Sequence, residues 1–254
     1  MPGAGSTLPY LLSEVRMPAI QRHSHAYREA YEQLYDYQLG DLTASFVTRD
    51  QGLKIMPGET IVLCDGKGSE VHGTMIESTA SYVRIDVGAP RAVTTEPKLR
   101  LHLFAALIRP ELFELMVQKT AELGIAEITP LITERTIRTG FKRARLESIA
   151  KEAAELAGRG IVPIIHDPTE LTNVIARATD RSPWLVADQG GGDVPPSLKK
   201  CSEVGLFIGP EGGWTDRERD MFKQVGISSV GLGSTVLRAE TAAIAGCFML
   251  INRV

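Results

Sequence analysis

"LFIGPEGGWTDRERD" occupies residues 206–220, and its reading decides the fold. The apolar run Val204–Ile208 reads as a buried strand. Thr215 followed three residues later by Glu218 is a capping-box pattern, so a helix begins near Asp216. Between them Gly209, Gly212 and Gly213 make a strand-to-helix turn whose backbone can meet a ligand without intervening side chains. The turn lacks the Gly-Lys-Ser/Thr of a phosphate loop and the Gly-x-Gly-x-x-Gly of a dinucleotide site.

The stretch "VGLGSTVLRAETAAIAG" (230–246) repeats the logic with a short strand, Gly231 and Gly233, and then a helix. That helix is lined with Ala239, Ala242, Ala243, Ala245 and Gly246, which let its backbone approach a neighbour closely. Two glycine turns at adjacent strand ends read as the walls of one crevice. In the plainer reading, Arg238 and Glu240 are exposed helix-start charges.

Upstream, the rhythm is α/β from residue 97 onward. "LRLHLFAAL", "IAEITPLI", "IVPIIH" and "PWLVAD" are strand candidates. "PELFELMVQKTAELG" and "RARLESIAKEAAELAGRG" are helices, the first opening on Pro110 and stopping at Gly124. Strands alternating with helices predict a mostly parallel sheet covered on both faces, with ligands beyond the strands' carboxyl ends. "DQGGGDVPP" (188–196) reads as a mobile loop.

The first third has another texture. Residues 1–22 read as a flexible leader. Tyr27, Tyr31 and Tyr35 lie at helical spacing and read as the packing face of a helix rather than a base-stacking platform. His23 and His25 lack a third ligand, so no metal is expected. "LTASFVT", "ETIVLC", "EVHGTMI" and "SYVRIDV" are short strands over 41–88 separated by turns at Pro57-Gly58 and Asp65–Gly68, which predicts a small antiparallel barrel that, with the helix before it, makes a β-rich, RNA-binding-like domain over 23–92. Residues 88–98 read as the linker.

Composition sets outer bounds. A hydrophobic share of 43% with 23% charged residues supports a globular core, and a net charge of −3 advertises no polyanionic partner globally. Cys64, Cys201 and Cys247 form no metal or disulfide framework, and no apolar run spans a bilayer, so a cytoplasmic protein without a membrane partner is expected.

"FIGPEGGWTDRE" and "LGSTVLRAETA", joined by "LMVQKTAELGIAEITPLITERT" (115–136) and "KEAAELAGRGIVPII" (151–165), resemble the SPOUT methyltransferases. Within them, the likeness is to the family that methylates uridine N3 in small-subunit (16S) ribosomal RNA. It covers residues 97–254. The resemblance implies a trefoil-knotted domain that dimerises through the knot, with a PUA-like barrel before it. It also implies S-adenosyl-L-methionine (SAM) held by Ile208, Gly209, Pro210, Glu211, Gly212, Gly213, Leu232, Gly233, Val236, Leu237 and Ala239. Thr235 stands where the family has arginine and Leu156 where it has glutamine. An ungapped match of "TRDQGLKIMPGE" sets Thr48 at a family histidine and Lys54 at a family arginine, while "LCDGKG" resembles the family's next turn.

The reaction requires stabilisation of the anion left when the imide proton departs. Arg238, permanently charged and planar, is the candidate for that role, with Glu211 or Glu240 as the base. Arg135, Arg138, Lys142, Arg143 and Arg145 form a basic stretch around Phe141 and, with Arg159 and Lys54, are the expected contacts to small-subunit RNA or the assembled subunit. The alternatives are a SPOUT-type enzyme acting on a different RNA, or a non-catalytic RNA-binding or assembly protein retaining the fold.

Overall fold

A computed structural model describes residues 9–11, 56–78, 83–137, 140–177 and 183–253. The tyrosine helix, His23, His25, the strand "LTASFVT", Thr48, Lys54 and Arg138 lie outside the described residues. The chain divides into two compact units, residues 1–95 with 158–161 and residues 96–157 with 162–254. The second unit begins at residue 96, and the short segment 158–161 within its span belongs with the first.

In the first unit β1 (Pro9–Leu11), β2 (Thr60–Cys64), β3 (Ser69–Ser78) and β4 (Val83–Val87) lie side by side, and β5 (Arg91–Ala92) pairs with β3. All pairings are antiparallel except β1 with β2. Residues 9–11, expected in a flexible leader, instead extend this sheet by pairing Pro9 with Val62 and Leu11 with Cys64. The β2–β3 turn is built by Asp65, whose Oδ1 accepts from the amides of Lys67 (2.7 Å) and Ser69 (2.9 Å). Among the described residues, Ile61, Val62, Leu63, Cys64 and Met75 are the buried apolar side chains of this unit.

The second unit is an all-parallel sheet. Its strands are β6 (Arg100–Ala106), β7 (Glu127–Ile132), β8 (Ile164–Ile165), β9 (Thr169–Glu170), β10 (Trp184–Gly192), β11 (Glu203–Ile208) and β12 (Ser228–Val230). The order across the sheet is β12-β10-β11-β6-β7-β8, with β9 also paired to β7. The helices are α1 (Pro110–Leu123), α2 (Arg143–Leu156), α3 (Leu171–Ile175), α4 (Asp216–Gln224) and α5 (Ala239–Arg253). Proline at the start of α1 costs nothing because the first amides of a helix have no internal partner. Gly124 ends α1 at φ 102°, where its amide bonds back to Thr120 and Ala121.

Alternation along the strands sorts the core into two layers. Leu101, Leu103 and Ala105 of β6 and Val204, Leu206 and Ile208 of β11 face one side. There they meet Met116 of α1, Ala150 of α2, and Ala243 and Cys247 of α5. Phe104, Leu131, Val186 and Phe207 face the other side, against α3, Trp214 and Phe222 of α4. Both faces are covered, which explains the nearly unbroken apolar strands. No described helix is long and apolar enough to cross a membrane.

Strand order is what positions the site. The chain starts at β6 in the middle, runs outward through β7 and β8, returns to β10, places β11 between β10 and β6, and sets β12 beyond β10. The carboxyl ends of β10, β11 and β12 therefore stand together on one edge.

Candidate active site

The first wall is the turn 209–214. The Gly213 amide donates to the Pro210 carbonyl at 2.8 Å, closing the turn. Trp214, 1% exposed, packs its indole where a Cβ on Gly209 would lie 3.0 Å away, and its Nε1 donates to the Ala187 carbonyl at 3.0 Å. That bond fastens the turn to the middle of β10.

The capping box read from the sequence is present, with the Glu218 amide donating to Thr215 Oγ1 at 3.2 Å and the Thr215 amide to Glu218 Oε2 at 2.8 Å. Glu218 is 2% exposed, and its Oε1 also accepts from the Glu134 amide at 3.0 Å. One buried carboxylate thus caps α4 and ties it to the loop after β7. Arg135 of that loop donates to the Gly212 carbonyl. A Cβ on Gly212 would sit 3.1 Å from Arg135 Cδ, so this glycine makes room for the arginine.

The second and third walls lie back to back. β10 does not stop at Asp188 but continues to Gly192, pairing Gly192 with Val230 across a bulge. The stretch expected as a mobile loop therefore begins as strand. The Gly231 amide donates to the Gly192 carbonyl at 2.9 Å. A Cβ on Gly191 would fall 2.4 Å from the Val230 carbonyl carbon, and one on Gly231 would fall 2.8 Å from the Gly191 carbonyl oxygen. These backbones touch with no room for any side chain. At the start of the wall Asp188 grips Arg219 of α4 through Nε (2.6 Å) and Nη2 (3.2 Å). That hydrogen-bonded pair raises the pKa of Arg219, holding it charged.

Among the expected cofactor residues, Ile208 and Pro210 are buried, Glu211 and Gly212 exposed, and Gly209 and Gly213 half-buried. Leu232 packs on the core, Gly233 has φ 128°, Val236 is 76% exposed, Leu237 is half-buried and Ala239 buried. Arg238 is exposed at the N-cap of α5, its carbonyl accepting from the Ala242 amide at 2.8 Å. Glu240 is only 6% exposed, and its Oε2 finds no hydrogen-bond partner among the described residues. The reading of Glu240 as an exposed charge is thereby corrected.

The basic stretch is more engaged than its sequence indicated. Arg143 pairs with Asp167 at 2.9 Å and Arg145 with Glu114 at 3.1 Å. Phe141, expected as a free stacking ring, packs against the core. Lys142 and Arg135 are exposed. Arg159, expected on the RNA surface, is 4% exposed and in this conformation offers little to a phosphate.

A parallel sheet with three glycine-bearing loops at one carboxyl edge, one ending at an arginine-capped helix, defines a ligand-binding α/β protein of the enzyme kind. Residues 95–251 match the RNA methyltransferase domain family, and the chain belongs to that family. Among named relatives, ribosomal RNA small subunit methyltransferase E of Mesomycoplasma hyopneumoniae is 29% identical over 59% of this chain and 68% of its own. The Bacillus subtilis protein of the same name is 26% identical over 76% and 81%. Among solved structures, a Neisseria gonorrhoeae ribosomal RNA small subunit methyltransferase E bound to S-adenosyl methionine shares the fold, with a TM-score of 0.75 at 24% identity over 97% of both chains. A Legionella pneumophila protein assigned as a methyltransferase, in complex with SAM, gives a TM-score of 0.69 at 27% identity over 96% of both.

Proposed function

We propose that this chain is a SAM-dependent methyltransferase acting on uridine N3 of small-subunit (16S) ribosomal RNA, working in the cytoplasm as a homodimer. The observation that carries the reading is the union of the family match over 95–251 with the three-loop edge inside it. The names of the relatives support the substrate. The residues fit the cofactor, because the loops present bare backbone at Gly213 and Gly233 beside apolar Leu232, Val236 and Leu237. The unpartnered buried oxygen of Glu240 offers an acceptor.

When bound, SAM supplies an electrophilic methyl group on a sulfonium. The chain has two further tasks. Arg238, fixed at the N-cap of α5, places a planar cation where the helix dipole already favours negative charge, which suits the oxygen that gains charge as uracil loses its imide proton. Glu240, buried and with an oxygen to spare, is the better of the two candidate bases, since Glu211 stands exposed at the turn tip. The Glu240 carboxylate would take the N3–H proton, leaving N3 to accept the methyl group that SAM would supply.

The trefoil knot belongs to the same proposal. The insertion of β11 between β6 and β10, and the side-chain-free contact of Gly191 with Gly231, are what close threading of the chain would require. The first unit is proposed as the PUA-like barrel that docks RNA. Exposed Arg135 and Lys142, with Arg138, are the proposed phosphate contacts.

The test is nucleoside mass spectrometry of small-subunit RNA from cells with and without the gene, and after incubation of the unmodified subunit with purified protein and SAM. N3-methyluridine is expected to depend on the protein in both. SAM binding with no methyl transferred would instead establish the non-catalytic reading.

A further inference from the structure

The opposite edge of the parallel sheet carries a cluster that the loops do not use. His102 lies near the start of β6 and is paired in register with Glu127, the first residue of β7. His166 follows β8, and its amide donates to the Ile128 carbonyl at 2.9 Å, setting it beside β7. The three side chains share one face of the sheet. His166 Nε2 lies 2.7 Å and His102 Nδ1 3.7 Å from the same oxygen of Glu127, Oε2. One donor atom from each residue falls within 4.8 Å of the others. The imidazoles are nearly parallel, 24° apart with centroids at 5.5 Å.

We propose that His102, Glu127 and His166 form a binding site for a divalent transition metal of the zinc class. Two imidazole nitrogens and one carboxylate oxygen are a donor set that zinc favours, with water as a fourth ligand. The ligands stand on or beside hydrogen-bonded strands, so their spacing is fixed before any ion arrives. Two of them, His102 and Glu127, are also held from behind. His102 Nε2 is bonded to Thr129 Oγ1 at 2.8 Å, which turns Nδ1 toward Glu127. His102 further stacks on Phe104 at 3.9 Å. Arg100 holds the other carboxylate oxygen, Glu127 Oε1. Outer contacts of this kind orient metal ligands. The side chains of His102, Glu127 and His166 are 20%, 16% and 40% exposed, so an ion can reach the site from solvent. A bound ion would take the place of the His166–Glu127 hydrogen bond and clamp the β6 and β7 starts to the segment after β8. Its role is structural, on the edge opposite the glycine loops, and it stands independently of the methyltransferase reading.

The test uses the full chain after chelator treatment, titrated with zinc sulfate by calorimetry and with cobalt(II) by visible absorption. The wild type should take one equivalent at this site, and a hundredfold excess over Kd should raise Tm by about 5–10 °C. His166→Ala and Glu127→Gln should lose this equivalent, while the double variant His23→Ala/His25→Ala should keep it. Thr129→Val, which removes the partner of His102 and leaves the donors in place, should weaken affinity about 10–100-fold. His166 is the most exposed of the three, so its variant is the one expected to fold without difficulty. No uptake by the wild type, or undiminished uptake by both His166→Ala and Glu127→Gln, would overturn the proposal.

Discussion

Replacing Gly191 by alanine tests the packing on which the site depends. The added Cβ would lie 2.4 Å from the Val230 carbonyl carbon and 2.7 Å from the amide nitrogens of Val230 and Gly231. All three are backbone atoms of a strand end, so no side chain can swing aside. Restoring an ordinary separation near 3.5 Å requires the two chains to part by roughly 1 Å. Such a displacement works against the Gly231–Gly192 hydrogen bond of 2.9 Å and the Gly192–Val230 pairing. Overpacking of this kind costs about 1–3 kcal/mol, and with only backbone to move the upper part of that range is expected, or a Tm lower by roughly 4–10 °C. Because the displaced atoms are the loop walls, SAM affinity measured by calorimetry should fall with stability. Gly190→Ala is the control, since its Cβ meets nothing within 4 Å and its φ of 78° brings only local strain. If Gly191→Ala matches the wild type in both Tm and SAM affinity, the loops are not packed as described and the crevice argument fails.

Arg238→Lys keeps the charge at the N-cap of α5 but loses the planar fork, so methyl transfer should drop on the order of a hundredfold, with SAM and RNA affinities within a few-fold. A parental rate in a single-turnover assay would make Arg238 structural. Thr215→Ala removes the side-chain half of the α4 capping box and should cost about 1 kcal/mol in urea denaturation. A change within error would mean that Glu218 alone sustains the helix start. Cys64 and Cys247 are buried, at 1% and 0% exposure, and burial pushes the Cys247 thiol far up, whereas Cys201 is half-buried. Native protein should therefore titrate one thiol with a disulfide reagent and all three in denaturant. Early reaction of more than one would show that a buried layer opens. Lys142→Glu should flatten the salt dependence of RNA binding by about one ion, more than Arg145→Glu, which begins from an ion pair with Glu114.

Much of this protein was legible in the order of its residues. Local rules suffice for Pro110 opening α1, Gly124 closing it, and Thr215 with Glu218 capping α4, because each depends on contacts within one helical turn. The apolar strands and alternating helices gave the parallel sheet, and the glycine turns marked the edge proposed to bind the cofactor. Tertiary structure alone decided the rest. Nothing in "DQGGGDVPP" announces that Gly191 lies against Gly231, since the reason is a backbone forty residues away along the chain. The burial of Glu240 and Arg159 and the ion pairs of Arg143 and Arg145 depend on neighbours that local sequence does not supply. His102, Glu127 and His166 have no motif spacing at all, and only the pairing of adjacent strands brings them to one oxygen. Sequence fixes what a segment does with its own next few residues, whereas long-range packing chooses which charges are buried, which glycines are indispensable and which distant side chains become a site.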